Sequence, residues 1–148
     1  MQKEDVTTAV RRQLQQRLDE LDQQLVDVEQ ARNNETKSSA GDKYETSREM
    51  IQREADQVQD RIRSTQGLLN NLTQLRIDKI NTTVQEGSLV QTNKGWFFLA
   101  VPLGKIKIGT NTCFALSSKA PLGAQLLGKK KGDRFLFRES EIEIQSIQ

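Results

Sequence analysis

The side chains able to do covalent or metal chemistry are few in this chain of 148 residues. There is no histidine, which excludes a Ser-His-Asp triad, a Cys-His dyad and any His-ligated metal. The single cysteine, Cys113, excludes an intrachain disulfide and a thiolate cluster, and it fits a reducing compartment. Lys129-Lys130-Lys131 is the one dense cationic run, and so short a run reads as a solvated turn. A net charge of +2 is too small to argue for direct nucleic-acid binding, which wants clustered Arg and Lys. No apolar run approaches the roughly 18 residues that span a bilayer, and the polar start MQKEDVTTAV is no signal peptide. A soluble, cytoplasmic protein without a membrane partner is expected.

The elements that position these groups fall into two halves. Seven of the nine glycines, both prolines and six of the seven aromatics lie after residue 86. Residues 1–80 carry 13 Lys and Arg against 15 Asp and Glu, whereas 81–148 carry 9 against 5. The expected boundary lies near 81–86, between a helical domain over 1–80 and a globular one over 81–148.

In the first half, Leu14, Leu18, Leu21, Leu25 and Val28 alternate four- and three-residue spacings, the period of a coiled-coil seam. Val6 and Val10 extend the stripe backwards. A second stripe runs through Tyr44, Ile51, Ala55, Val58, Ile62, Thr65, Leu69 and Leu72. Turn formers gather between them, so the tip is placed at about 33–43. A parallel dimer would keep its seam unbroken. One central break instead favours an antiparallel hairpin within a monomer, with Leu18, Leu21 and Leu25 facing Val58, Ile62 and Ala55 across the seam. At 1.5 Å per residue, such helices are about 45–50 Å long. Gly67 is expected to interrupt the second helix near the globular half. A dimeric coiled-coil adaptor with some other partner is the competing reading.

The second half alternates like strands at 88–92, 95–101, 105–108, 113–116, 134–137 and 141–147. Asn93-Lys94 makes the first pair a hairpin, and Gly132-Asp133 makes a turn. Between them, 121–128 reads as a turn or two of helix, with Pro121 at its start and Gly128 at its end. This is an α+β unit. Trp96, Phe97, Phe98, Phe114, Phe135 and Phe137 are expected to form its core, although three consecutive aromatics cannot share one face. Leu122, Leu126 and Leu127 are expected to be packing residues.

Pro121-Leu122-Gly123-Ala124-Gln125-Leu126-Leu127-Gly128-Lys129-Lys130-Lys131-Gly132-Asp133 resembles the P-L-G-x-x-L-L-G-K-K-x-G-D signature of bacterial GreA/GreB transcript-cleavage factors. Gly87-Ser88-Leu89-Val90 resembles the opening G-S-x-V of the same domain, and Glu141-Ile142-Glu143-Ile144 suits its last strand. The resemblance implies a coiled-coil hairpin followed by a small FKBP-like β-sheet domain with one short helix. It also implies a partner, RNA polymerase, with the globule docked at the rim of the secondary channel and the hairpin inside it. DNA and RNA are then met only through polymerase. Such a factor has no catalytic residue of its own; at most it stimulates the polymerase's intrinsic RNA cleavage. By the same resemblance, Ser118, Lys119, Pro121 and Gly123 are docking candidates.

The family's tip reads D-x-x-E-N-A-x-Y and helps to hold a second magnesium ion shared with the polymerase active site. With Tyr44 set on that tyrosine, the two acidic positions fall on Lys37 and Ala40. Asp42 and Glu45 keep the three-residue spacing five residues on, which leaves two readings open. They hold magnesium in the complex with polymerase, or they serve as a cap and a first-turn carboxylate of the second helix. Lys37 and Lys43 set the remaining charge of the tip. The expected activity is modulation of transcription from within the channel, with a true cleavage factor as the alternative.

Overall fold

The structure is a computed structural model that describes residues 1–37 and 41–148; the side chains at 35–44 lie outside the description. Helix α1 spans Lys3–Lys37 and α2 spans Gly41–Gln74. Neither contains proline, and Glu4 and Asp5 in the first turn of α1 oppose the positive end of its dipole. The abundant glutamines have a local role. Gln15, Gln16, Gln23 and Gln52 donate to carboxylates one turn on, at 3.0–3.3 Å. Each such pair stabilises a helix by about 0.2–0.5 kcal/mol.

The chain divides into two compact units, Gln13–Leu69 and Met1–Arg12 with Asn70–Gln148. Contact thus divides the chain within the two helices, whereas composition shifts later, near 81–86.

In the unit Gln13–Leu69 the helices pair antiparallel, with Leu14, Leu21, Val28, Ala55, Val58 and Thr65 buried. Arg32 Nη1 donates to Gln52 Oε1 across the pair at 3.2 Å. Nearer the other end, Leu21 shares a shallow cleft of about 260 Å³ with Arg61, Thr65 and Leu68. Leu21 thus lies beside the stretch 61–68 of α2. Gly67 was expected to interrupt α2, yet the helix runs through it. A single glycine costs only about 1 kcal/mol relative to alanine, which a packed 34-residue helix absorbs. A methyl built at Gly67 meets nothing within 4 Å. Gly67→Ala is accordingly expected to raise stability by about 0.5–1 kcal/mol, read as a higher denaturant midpoint at unchanged slope.

The other unit carries a six-stranded sheet, β1 Leu89–Thr92, β2 Gly95–Leu99, β3 Gly104–Ile108, β4 Asn111–Leu116, β5 Arg134–Phe137 and β6 Ser140–Ile147, with α3 Pro121–Leu126. The strand order is β3-β4-β2-β1-β6-β5. All neighbours are antiparallel except β2 and β4, because the chain passes to the edge as β3 before β4 returns beside β2.

Alternation sorts the aromatics onto two faces. Phe97 packs with Val84, Val90, Leu99, Leu126 and Ile144, where α3 covers the sheet. Phe98 points the other way and is fully buried, as are Leu89 and Cys113. Leu122 packs against the first cluster, but Leu127 is exposed because the helix has already ended, which corrects its expected packing role. Phe114 is not wholly core either, at 42% exposed.

A polar knot ties the entry to β1. Ser88 Oγ accepts from Asn81 Nδ2 at 2.9 Å and from the Gln85 amide at 3.0 Å, and Gln85 Nε2 donates to Asn81 Oδ1. Both Asn81 and Ser88 are buried, so these bonds replace water that the groups have lost. Lys3 is buried with Nζ donating to the Lys79 carbonyl at 2.7 Å, and burial pushes its ammonium pKa down against the pull of Asp78.

Candidate functional site

The thirteen-residue signature has a local structural explanation almost throughout. Pro121 opens α3, where its missing N–H costs nothing. Gly123 is buried against the preceding loop: an added Cβ would lie 2.1 Å from the Ser117 carbonyl oxygen. Leu126 enters the core, and Gly128, with φ of +77°, turns the chain. The Gly128 amide then donates to the Val84 carbonyl and the Val84 amide to the Lys129 carbonyl, both at 2.8 Å. Asp133 Oδ2 accepts from the Lys130 amide at 2.7 Å and closes the next turn. Lys130 and Lys131 are exposed, and Lys129 lies 5.6 Å from the Phe135 ring centroid. As a whole, the signature specifies a helix-to-strand connection.

The groups free to meet a partner flank it. Residues 117–120 join β4 to α3, held by Ala120 N–H to the Ser117 carbonyl at 3.0 Å and Lys119 N–H to Ser117 Oγ at 3.1 Å. Ser118 Oγ donates to Glu86 Oε1 at 2.6 Å. Ser117, Ser118 and Lys119 form one wall of a cleft of about 430 Å³, facing Glu86, Asn71 and Gln74. Pro102 adds an exposed apolar ring beside them. The cleft offers one carboxylate, one ammonium, two amides and hydroxyls, a mixture suited to a polar protein surface rather than to bond-breaking chemistry.

Of the docking candidates, Ser118 and Lys119 come together here. Pro121 is exposed but does not line the cleft. Gly123 is buried and has a packing role, which removes it as a contact. Glu86, Asn71 and Gln74 were not found by sequence reasoning. Glu86 lies 32 positions from Ser118, and no spacing rule connects them.

Of the tip candidates, Glu45 is exposed on α2, while the side chains of Lys37, Asp42 and Lys43 lie outside the described residues. Asp42 falls in the first turn of α2. Among the described residues, no group of three ligating side chains is placed to hold a metal. Cys113 is fully buried, and burial pushes its thiol up to about 12, so the nucleophilic thiolate is absent at neutral pH. An unfolded thiol ionises near its ordinary value of 9.0, so the stability Cys113 contributes is present below that pH. It is lost as pH rises towards about 12. Iodoacetamide at pH 8 is expected to leave Cys113 unmodified until denaturant unfolds the chain; rapid native labelling would contradict its burial.

No protein-family model matches the chain, and no curated protein does. Among solved structures it is similar to one described as the transcription factor Gfh1. The two are 20% identical over 94% of this chain and 93% of that one, with a TM-score of 0.41.

Proposed function

We propose that this chain is a Gre-like factor that docks on RNA polymerase through the loop at 117–119. It would enter the secondary channel with its helical hairpin and modulate transcription by occupying that channel. The reading rests on the resemblance of its signature to GreA/GreB factors. The observation that carries it is the unit Gln13–Leu69. Its apolar stripes bury one another, so most of the remaining surface is charged or amide. A two-helix segment with such a surface is about 20–24 Å across and suits a hydrated pore. At the tip, Lys37 replaces a carboxylate, and a cation there opposes recruitment of magnesium and favours a phosphate or an acidic loop.

The experiment is transcript extension and cleavage by stalled bacterial polymerase with the chain titrated in. The parent is expected to alter extension without shortening the RNA, and Asp42→Asn is expected to be nearly silent because a first-turn carboxylate opposing the α2 dipole contributes only about 0.3–1 kcal/mol. Lys119→Glu is expected to weaken polymerase binding about fivefold, about 1 kcal/mol, while stability stays within about 0.5 kcal/mol of the parent. Magnesium-dependent cleavage lost in Asp42→Asn would instead establish a true cleavage factor. Unchanged affinity in Lys119→Glu would place the interface elsewhere.

A further inference from the structure

One surface of the sheet unit plays no part in this reading. Val90, Phe97, Phe114 and Lys105 are successive partners across β1, β2, β4 and β3, so their side chains share one face in one row. At the Val90–Phe97 end the row lies in the core beneath α3. At the other end that cover has run out: Phe114 is 42% exposed. Phe97 backs it, with ring centroids 6.1 Å apart and the planes tilted by 31°. On the same face the next row holds Thr112 and, on the edge strand β3, Lys107. Lys105 and Lys107 are both exposed, and neither is in an ion pair among the described residues.

Two lysines on an edge strand have an ordinary explanation, since charge there discourages pairing with other chains. That does not account for a phenylalanine held open beside them. A supported aromatic face with cations on the adjoining strand has the chemistry of a stacking platform for an unpaired base, with the ammonium groups set for the flanking phosphates. The charge of the unit agrees. Met1–Arg12 with Asn70–Gln148 carries 14 Lys and Arg against 8 Asp and Glu, while Gln13–Leu69 carries 8 against 12. The chain's small net charge therefore conceals a basic unit. A neutral apolar partner would leave both lysines unused, and an acidic peptide would have no need of the ring.

We infer that the β3–β4 face around Phe114, Lys105 and Lys107 is a binding site for single-stranded nucleic acid. Binding here does not require polymerase.

The test is fluorescence anisotropy of a short labelled single-stranded RNA with the full chain, repeated across a salt series and with the matching duplex. Saturable binding that prefers the single strand is expected. Phe114→Ala is expected to weaken it about tenfold, within the range for loss of one stacked base, whereas Phe114→Trp retains it. Lys105→Gln with Lys107→Gln is expected to reduce the slope of log affinity against log salt by about 1.4, two phosphates' worth on a single strand. Lys130→Gln with Lys131→Gln is expected to leave that slope nearly unchanged. If Phe114→Ala fails to fold, Phe114→Leu keeps apolar bulk and removes the ring, with the same expected loss. Absence of saturable binding by the parent, equal affinity for the duplex, or undiminished binding by a folded Phe114 variant would each overturn the site. Equal dependence on the Lys130–Lys131 pair would do so too, as a sign of general charge attraction.

Discussion

Gly123→Ala is expected to destabilise the sheet-bearing unit by about 3 kcal/mol, at the upper end for small-to-large changes in packed sites. The added methyl would meet the Ser117 carbonyl oxygen at 2.1 Å and the Ser118 Cα at 3.1 Å. These are backbone atoms, so no rotamer change relieves the clash. The same carbonyl accepts the Ala120 amide at 3.0 Å, in the turn that starts α3. Relief therefore means moving the helix off the sheet or breaking the turn that begins it, and Leu126 would leave the core with it. Thermal and denaturant unfolding measure the loss. A wild-type midpoint would show that the loop yields without cost. Because the change disturbs the 117–119 loop, lost polymerase binding in this variant says nothing about direct contact. Lys119→Glu does.

Phe98→Ala is expected to cost about 3–5 kcal/mol, since it empties a fully buried ring from a central strand. Phe114→Ala, by contrast, removes a ring already 42% exposed, and is expected to cost about 1 kcal/mol. The two residues lie on neighbouring strands and differ chiefly in which face they occupy. Equilibrium unfolding of both variants measures the difference. Equal losses would mean that Phe114 is as much core as Phe98.

Much of this architecture was legible in the residues. Strands are short and bounded by turn formers here, so alternation located all six, and Pro121 and Gly128 bracketed the one short helix. The four-and-three spacing of Leu14, Leu18, Leu21, Leu25 and Val28 identified a seam, of which Leu14, Leu21 and Val28 are buried. What periodicity does not encode is the identity of a neighbour. Nothing in 111–116 announces that β4 lies parallel to β2, between it and β3. Likewise Val6 and Val10 read as more coiled-coil stripe, yet Met1–Arg12 belongs to the compact unit that contains the sheet. The cleft was legible only on one wall, because Ser118 and Lys119 adjoin a recognisable signature and Glu86, Asn71 and Gln74 do not.

If the hairpin enters RNA polymerase as proposed, position 45 reports its location there. Glu45 is exposed on α2, and the native thiol of Cys113 is buried and protonated at neutral pH. Glu45→Cys therefore offers a single reactive site for a tethered iron chelate that releases hydroxyl radicals. Bound to polymerase, the labelled chain is expected to cut the polymerase backbone beside its catalytic magnesium site, and Lys119→Glu in the same chain is expected to weaken those cuts. Cuts confined to the outer surface, with binding confirmed independently, would contradict the account.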